Sequence, residues 1–263
     1  MNANGARPDG RTKVRIRSFF DGVFRRSALA VAAGALLVAA SLSAAGGARA
    51  VSSDVVARPE WLPSANDGLD VLVYAPRGDR TTPHPVAVML HGMCDLPERE
   101  CPYFAGVVTR RAWLVCPRAM LSCAGGGATW AAPRRAEIVE ASIARLAAAH
   151  PGEVDADHDR TLIGFSLGAF VAMDLANRAP SRWARVFLLA AKITPEPRAL
   201  ARGSSHFVLG AGELDLSHTH MTRTTRWLDA AGIDASFLSL GRVGHRFADD
   251  MDGWLERAYA LSE

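Results

Sequence analysis

The sequence lacks a long hydrophobic run, a strong charge excess and a closely spaced cysteine motif. Of its 263 residues, 49% are hydrophobic and 22% are charged, which excludes a disordered chain and a collagen-like fibre. The apolar or small residues at 28–40 number 13, fewer than the roughly 20 that a membrane-spanning helix needs. These features indicate a globular protein without a stable membrane span.

The net charge of +3 is concentrated at the N-terminus. Residues 1–50 contain eight Lys or Arg and two Asp or Glu, so the rest of the chain has a net charge of −3. A globular part with this charge gives no electrostatic reason to expect a nucleic-acid partner.

Residues 1–50 have the pattern of a secretion signal. Basic residues precede the apolar stretch 28–40, and Ala48-Arg49-Ala50 matches an A-x-A cleavage site. Arg25-Arg26 resembles a twin-arginine signal, although Phe24 stands where Ser or Thr is usual and Ala28 where Phe is usual. We expect cleavage after Ala50 and a secreted or periplasmic single domain of residues 51–263. An uncleaved membrane anchor is the alternative.

The four cysteines lie within a 30-residue window and agree with export. Their even number predicts two disulfides in an oxidising compartment, with three possible pairings. We expect Cys94–Cys101 and Cys116–Cys123, because each pair closes a single loop. Free thiols or a zinc site are the alternatives, but the C-x6-C spacings differ from the usual zinc pattern.

Short β-rich runs alternate with longer helical patterns after residue 60. This order predicts a mostly parallel sheet with helices on both faces. The expected strands are 70–74, 86–90, 113–116, 161–165, 185–189, 207–210 and 235–240, and the expected helices are 135–149, 167–178, 222–231 and 248–261. In such a sheet, the loops at the carboxyl ends of the strands carry the chemistry.

A candidate nucleophile occurs in Gly164-Phe165-Ser166-Leu167-Gly168, between a predicted strand and a predicted helix. Glycine at both flanks allows a sharp strand-to-helix turn that exposes the serine at the head of the helix. A flexible surface turn is the alternative, but it explains the preceding apolar strand poorly.

The predicted strand at 86–90 is followed directly by His91-Gly92-Met93. Glycine there lets the backbone approach a substrate carbonyl, so the backbone N–H groups of Met93 and Leu167 are the expected oxyanion hole. His91 lies upstream of the serine, in the wrong order for the base of this fold, and is expected to be structural.

His245 is the candidate general base, because it lies on a loop after the strand at 235–240 and imidazole titrates near neutrality. His218 and His220 follow too closely on the candidate acid. Asp215 is the candidate acid because it follows a strand end. Glu213 also follows that strand end and is the alternative.

The order Ser…Asp…His, with H-G-M upstream, resembles the α/β-hydrolase family. The segment 154–160 also resembles the V-D-x-x-R sequence of its dienelactone-hydrolase-like, polyester-depolymerase-like and carboxylesterase-like branches. The resemblance implies a sheet of about eight strands and a Ser-His-Asp hydrolase that needs no metal or organic cofactor. The cysteine-bearing loops 94–102 and 117–130 have no counterpart in it.

The expected function is hydrolysis of carboxylic esters through an acyl-enzyme on Ser166. A serine peptidase of the prolyl-oligopeptidase kind and a non-catalytic binding protein on a hydrolase scaffold are the alternatives. Trp130 is a candidate for the substrate pocket, with core packing as its alternative role. Only 17 residues (190–206) separate two predicted strands where many lipases carry a cap. We therefore expect no cap domain and a short-chain or accessible polymeric ester substrate.

Export predicts a defined mature N-terminus. N-terminal sequencing of the exported protein should begin at or near Val51, and replacing Arg25-Arg26 by Lys-Lys should block export by the twin-arginine route. An intact leader on the exported protein would indicate an anchor instead.

Overall fold

The computed structural model describes residues 58–64, 69–131 and 133–263. The predicted leader, residues 1–50, lies outside the described residues, so its cleavage stays a prediction. Within the described part of the chain, no helix is both long and apolar enough to cross a bilayer.

The main structural element is an eight-stranded sheet with strand order β1-β2-β4-β3-β7-β8-β9-β10. The β1–β2 and β2–β4 pairs are antiparallel, and the other pairs are parallel. Two further strands, β5 and β6, form a short hairpin. The strands are β1 (Glu60–Leu62), β2 (Val71–Tyr74), β3 (Val86–Leu90), β4 (Trp113–Pro117), β5 (Leu121–Ser122), β6 (Ala128–Thr129), β7 (Thr161–Phe165), β8 (Arg185–Leu189), β9 (His206–Ala211) and β10 (Ala235–Ser239).

Helices cover both faces of this sheet, as predicted. Side chains of α3, α4 and α6 join the apolar core on one face, and side chains of α2 and α7 join the core on the other. Successive strand residues alternate between the faces: Val88 belongs to the first core and Met89 to the second. The helices are α1 (Pro97–Glu100), α2 (Pro102–Val108), α3 (Arg135–Ala149), α4 (Leu167–Arg178), α5 (Pro197–Leu200), α6 (His218–Ala230) and α7 (Met251–Ala260).

The strand order places β3 at the point where the chain reverses its direction of growth across the sheet. From β3, the chain passes to β4 on one side and later returns to β7 on the other. The carboxyl ends of β3 and β7 are therefore neighbours at a topological switch point, where ligands of open α/β sheets bind.

The strands predicted at 86–90, 161–165 and 185–189 have the predicted bounds, and the other predicted strands differ by one residue at one or both ends. Two helices were missed between β3 and β4, where the sequence suggested only a cysteine-bearing loop. Pro97 and Pro102 each begin one of these helices. Proline suits a first helical turn because its missing N–H is not needed there.

The predicted cysteine pairing is wrong, although two disulfides are present. Cys94 pairs with Cys123 and Cys101 pairs with Cys116, with Cα–Cα separations of 5.6 Å and 6.4 Å. The pairing follows from the fold, because the α1–α2 junction packs on β4 in the same core. In addition, a bridge between Asp95 and Ala128 aligns the loop of Cys94 with the hairpin that carries Cys123. The bonds therefore join segments that lie apart in the sequence.

These pairs can be tested by peptide mapping without reduction. We expect cross-linked peptides that join Cys94 to Cys123 and Cys101 to Cys116. Replacing both cysteines of one pair by serine should lower the free energy of unfolding by about 2–4 kcal/mol. A cross-linked peptide joining Cys94 to Cys101 would contradict this arrangement.

Candidate active site

Ser166 lies in a tight turn between β7 and α4. Its φ of 52° and ψ of −116° are unusual for a residue with a side chain, and its N–H donates a 2.9 Å hydrogen bond to the carbonyl of Leu189. A Cβ on Gly164 would collide with the backbone of Gly168. This glycine is therefore required by the strand–turn–helix geometry that the sequence predicted.

The turn also packs directly on the end of β3. A Cβ on Gly168 would collide with the carbonyl of Leu90 and would lie 2.8 Å from that of His91. This contact fixes the start of α4 against the segment His91-Gly92-Met93. The candidate nucleophile and the candidate oxyanion strand consequently adjoin.

Asp215 and His245 lie on two loops that are joined by backbone hydrogen bonds. The N–H of Glu213 donates to Gly241, at 2.9 Å, and the N–H of Leu214 donates to Val243, at 3.0 Å. These bonds continue the pairing of β9 and β10 beyond the sheet. They hold the loops after the two strands side by side.

The three predicted catalytic side chains form one hydrogen-bonded row. His245 Nε2 is 2.9 Å from Ser166 Oγ, and His245 Nδ1 is 2.7 Å from Asp215 Oδ2. The geometry suits an imidazole that donates from Nδ1 to the carboxylate and accepts the serine proton at Nε2. Such a row can raise the nucleophilicity of the serine.

Exposure changes along the row. The Asp215 side chain is 3% exposed, whereas the His245 side chain is 54% exposed. Burial alone would raise the pKa of Asp215, but hydrogen bonds from Ser217 and His245 lower it below its ordinary value. A buried, ionised carboxylate therefore orients an imidazole that faces solvent.

The N–H groups of Met93 and Leu167 are available to a ligand. Leu167 is the first residue of α4, where backbone N–H groups have no partner within the helix. Among the described residues, neither N–H donates a hydrogen bond to a protein acceptor. The positive end of the helix dipole at α4 favours a negatively charged oxygen there.

His91 and Trp130 support the loop that carries Met93. His91 is fully buried, with Nδ1 2.8 Å from the carbonyl of Gly92 and Nε2 accepting from the N–H of Ala119 at 3.1 Å. Burial lowers the pKa of His91, so the ring is neutral. Trp130 is 4% exposed and donates from Nε1 to the carbonyl of His91. This placement favours a supporting role for Trp130 over substrate contact.

The competing histidines and the competing acid have other partners. His220 Nε2 bonds to the carbonyl of Ile193, and the ring of His218 packs on Phe237. Glu213 accepts a hydrogen bond from Ser239 at 3.4 Å, whereas the carboxylate bonded to His245 is that of Asp215. Where the structure describes the chain, no group of His, Cys, Asp and Glu is arranged to hold a metal.

Two features of the site are not predicted from the sequence. Glu100 is a buried carboxyl group whose oxygens both accept from the N–H of Gly92. In addition, Phe165 packs on the rings of both His245 and Phe247. Glu100 lies in a short segment of charged residues, which gives no sequence signal of burial. The aromatic contacts join residues from separate elements, so local sequence patterns do not reveal them.

Comparison with known proteins identifies the fold. No protein-family profile and no curated protein matches the chain. Solved structures align over most of it. A ferulic acid esterase has 14% identity and a TM-score of 0.58, covering 78% of this chain and 96% of that chain. The chain has the α/β-hydrolase fold.

Two further hydrolases with this fold align in the same way. The S-formylglutathione hydrolase of Staphylococcus aureus has 14% identity and a TM-score of 0.58, with 78% and 98% of the two chains covered. The carboxylesterase of Bacillus cereus has 17% identity and a TM-score of 0.56, with 74% and 96% covered. At these identities, the likeness is one of fold.

The two carboxylates after β9 provide a matched pair of variants. Asp215→Asn should lower the catalytic rate by on the order of 10⁴-fold, because an amide no longer holds the imidazole in the required tautomer. Glu213→Gln, two residues away, should leave the rate within about threefold, because a substitution at an exposed position has a small effect. The measurement is kcat/KM for an activated ester. An equal loss in both variants would exclude a specific role for Asp215.

Proposed function

We propose that this chain is an exported serine hydrolase that cleaves carboxylic esters. The observation that carries the proposal is the row Ser166–His245–Asp215 within the α/β-hydrolase fold, beside two free backbone N–H groups. Esterases among the structural neighbours support ester hydrolysis as the general chemistry.

In the proposed reaction, Ser166 Oγ attacks the ester carbonyl carbon while His245 Nε2 takes the serine proton. The tetrahedral intermediate carries its negative charge on the former carbonyl oxygen. The imidazolium then gives its proton to the departing alcohol as the C–O bond breaks, which leaves an acyl-enzyme. Water, deprotonated by the same imidazole, releases the acid and restores Ser166.

The backbone N–H groups of Met93 and Leu167 bind the oxyanion in this proposal. Donors fixed in place before the reaction stabilise the developing charge without reorganisation. Met93 is held by a loop that is bonded to the core, and Leu167 is held by the start of α4. Asp215 stabilises the imidazolium and keeps its orientation.

Export is the second part of the proposal. Two disulfides in a chain of this size fit an oxidising compartment. Together with the leader pattern at residues 1–50, they support a secreted or periplasmic protein. We propose that the mature domain comprises residues 51–263.

The region around the site supports an open substrate pocket. Between β8 and β9, where many lipases insert a cap, the chain contains only the four-residue helix α5. The His245 side chain is more than half exposed. The described residues between β8 and β9 provide no cap to enclose a long acyl chain, so we propose short-chain or accessible polymeric esters as substrates.

The bond type can be tested with ester and peptide substrates in parallel. The panel should include p-nitrophenyl acetate, methyl ferulate, a soluble polyester oligomer and chromogenic peptides. We expect turnover of esters alone and a loss of on the order of 10⁶-fold in Ser166→Ala, with the fold retained. Faster turnover of peptides would favour the peptidase, and no turnover at all would favour a binding protein.

Chain-length preference tests the open site. We expect kcat/KM for p-nitrophenyl esters to stop rising at short acyl chains. Each CH₂ group contributes about 0.8 kcal/mol only when it is buried against apolar protein surface, and an open site does not bury the end of a long chain. The measurement is a series from acetate to palmitate, below and above the micelle threshold. A maximum at long chains, or a jump in rate above the threshold, would reveal a deep channel or a lid.

A further inference from the structure

Glu100 is a buried acidic residue with no assigned part in the proposed reaction. Its side chain belongs to the last residue of α1, and the residue is 4% exposed. Both carboxyl oxygens lie 3.1 Å from the N–H of Gly92. Burial of an ionisable group lowers the stability of the folded protein unless the group has hydrogen-bond partners, and the N–H of Gly92 is such a partner.

Gly92 is held on both sides of its Cα atom. Its N–H donates to Glu100, and its carbonyl is bonded to Nδ1 of His91 at 2.8 Å. The peptide unit that begins with this carbonyl ends with the N–H of Met93. Because a peptide unit is planar, fixing the Gly92 carbonyl also fixes the direction of the Met93 N–H.

Gly92 also borders the candidate nucleophile. A Cβ built on Gly92 would lie 3.1 Å from Oε1 of Glu100 and 3.5 Å from the Cβ of Ser166. The Glu100 carboxyl and the Ser166 side chain are thus both neighbours of one small residue. A change in the position of Glu100 would be transmitted over one residue to the site.

Glu100 is itself rigidly anchored. The next residue, Cys101, is fully buried and bonded to Cys116 of β4. Helix α1 begins at Pro97, and the N–H of Cys101 donates to the carbonyl of Pro97. The carboxyl group therefore extends from a fixed point of the core to the loop.

The charges around Glu100 favour its neutral form. The pKa of Glu100 is raised to about 8, mainly by burial. The nearby Asp95 carboxylate contributes to the rise by its charge and by a hydrogen bond, whereas the Gly92 N–H lowers the pKa. Arg99 lies 3.8 Å from Asp95, at the surface. On the other elements of the site, His91 is neutral and His245 is bonded to Asp215.

We propose that Glu100 is a positioning residue for the oxyanion hole, which holds the Gly92 N–H and thereby directs the Met93 N–H toward the substrate oxygen. This inference rests on the proposed ester hydrolysis. In this proposal, the protonated carboxyl group of Glu100 is the active form. A carboxylate near Ser166 would repel the negative charge that develops in the transition state.

Two substitutions separate the acceptor from the charge. Glu100→Gln keeps an oxygen that accepts from Gly92 and cannot ionise, whereas Glu100→Leu removes the acceptor at similar size. At pH 6.5, Glu100→Leu should lower kcat by about 10–100-fold with KM within about threefold, since a misplaced donor stabilises the transition state less. Glu100→Gln should recover most of that loss.

Glu98 provides the matched control, because it lies on the same short helix and is exposed. Glu98→Gln and Glu98→Leu should leave kcat and KM within about twofold, as expected for exposed positions. Two results would overturn the positioning role. In the first, Glu100→Leu raises KM as much as it lowers kcat; in the second, Glu100→Gln does not recover the lost kcat.

The pH profile gives a readout that a purely structural role would not change. In the wild-type protein, kcat should fall as the pH rises through about 8, where Glu100 ionises. In Glu100→Gln, this alkaline fall should disappear, while the acid side of the pH profile stays unchanged. An alkaline fall that is identical in both proteins would contradict the proposal.

NMR of the full chain tests the contact without reference to ester turnover. The amide signal of Gly92, assigned by its absence in Gly92→Ala, should shift with pH around 8 in the wild type and stay constant in Glu100→Gln. A constant signal in the wild type would overturn the role of Glu100. A shifting signal in a protein that cleaves no ester would instead uphold the contact and refute the proposed function.

Discussion

The backbone contact between the start of α4 and the end of β3 determines the arrangement of the whole site. Gly168 touches the carbonyls of Leu90 and His91, and Ser166, two residues earlier, has a φ of 52°. A side chain at Gly168 would separate the helix from the strand. The candidate nucleophile Ser166, the N-terminus of α4 and the segment His91-Gly92-Met93 would then no longer lie together, so the proposed chemistry depends on the absence of a side chain at Gly168.

Around this contact, the molecule combines rigid supports with an exposed reactive edge. His91, Glu100 and Trp130 are buried and hold the loop that carries Met93 through hydrogen bonds. The two disulfides anchor the chain that follows this loop, at Cys94 and at Cys101. By contrast, the side chains of Met93 and His245 face solvent. The residues that support the proposed oxyanion donors are thus part of the core, while the side chains of Met93 and His245 remain accessible.

Local sequence patterns predicted seven of the ten described strands, the turn at Ser166 and the partners His245 and Asp215, because each depends on short-range spacing or chain order. Features that depend on packing between distant segments were missed or wrong. Cys101 pairs with Cys116 only because α1 and α2 pack on β4. Likewise, the burial of Glu100 follows from its place beneath the loop of Gly92, and a lone acidic residue carries no sign of that environment in the sequence.

Trapping the covalent intermediate tests the central claim most directly. The protein should be mixed with an activated ester, quenched in acid within milliseconds and examined by intact and peptide mass spectrometry. The account predicts an added mass equal to the acyl group, located on the peptide that contains Ser166 and absent in Ser166→Ala. An acyl group on another residue, or turnover of the ester by Ser166→Ala at the wild-type rate, would contradict it.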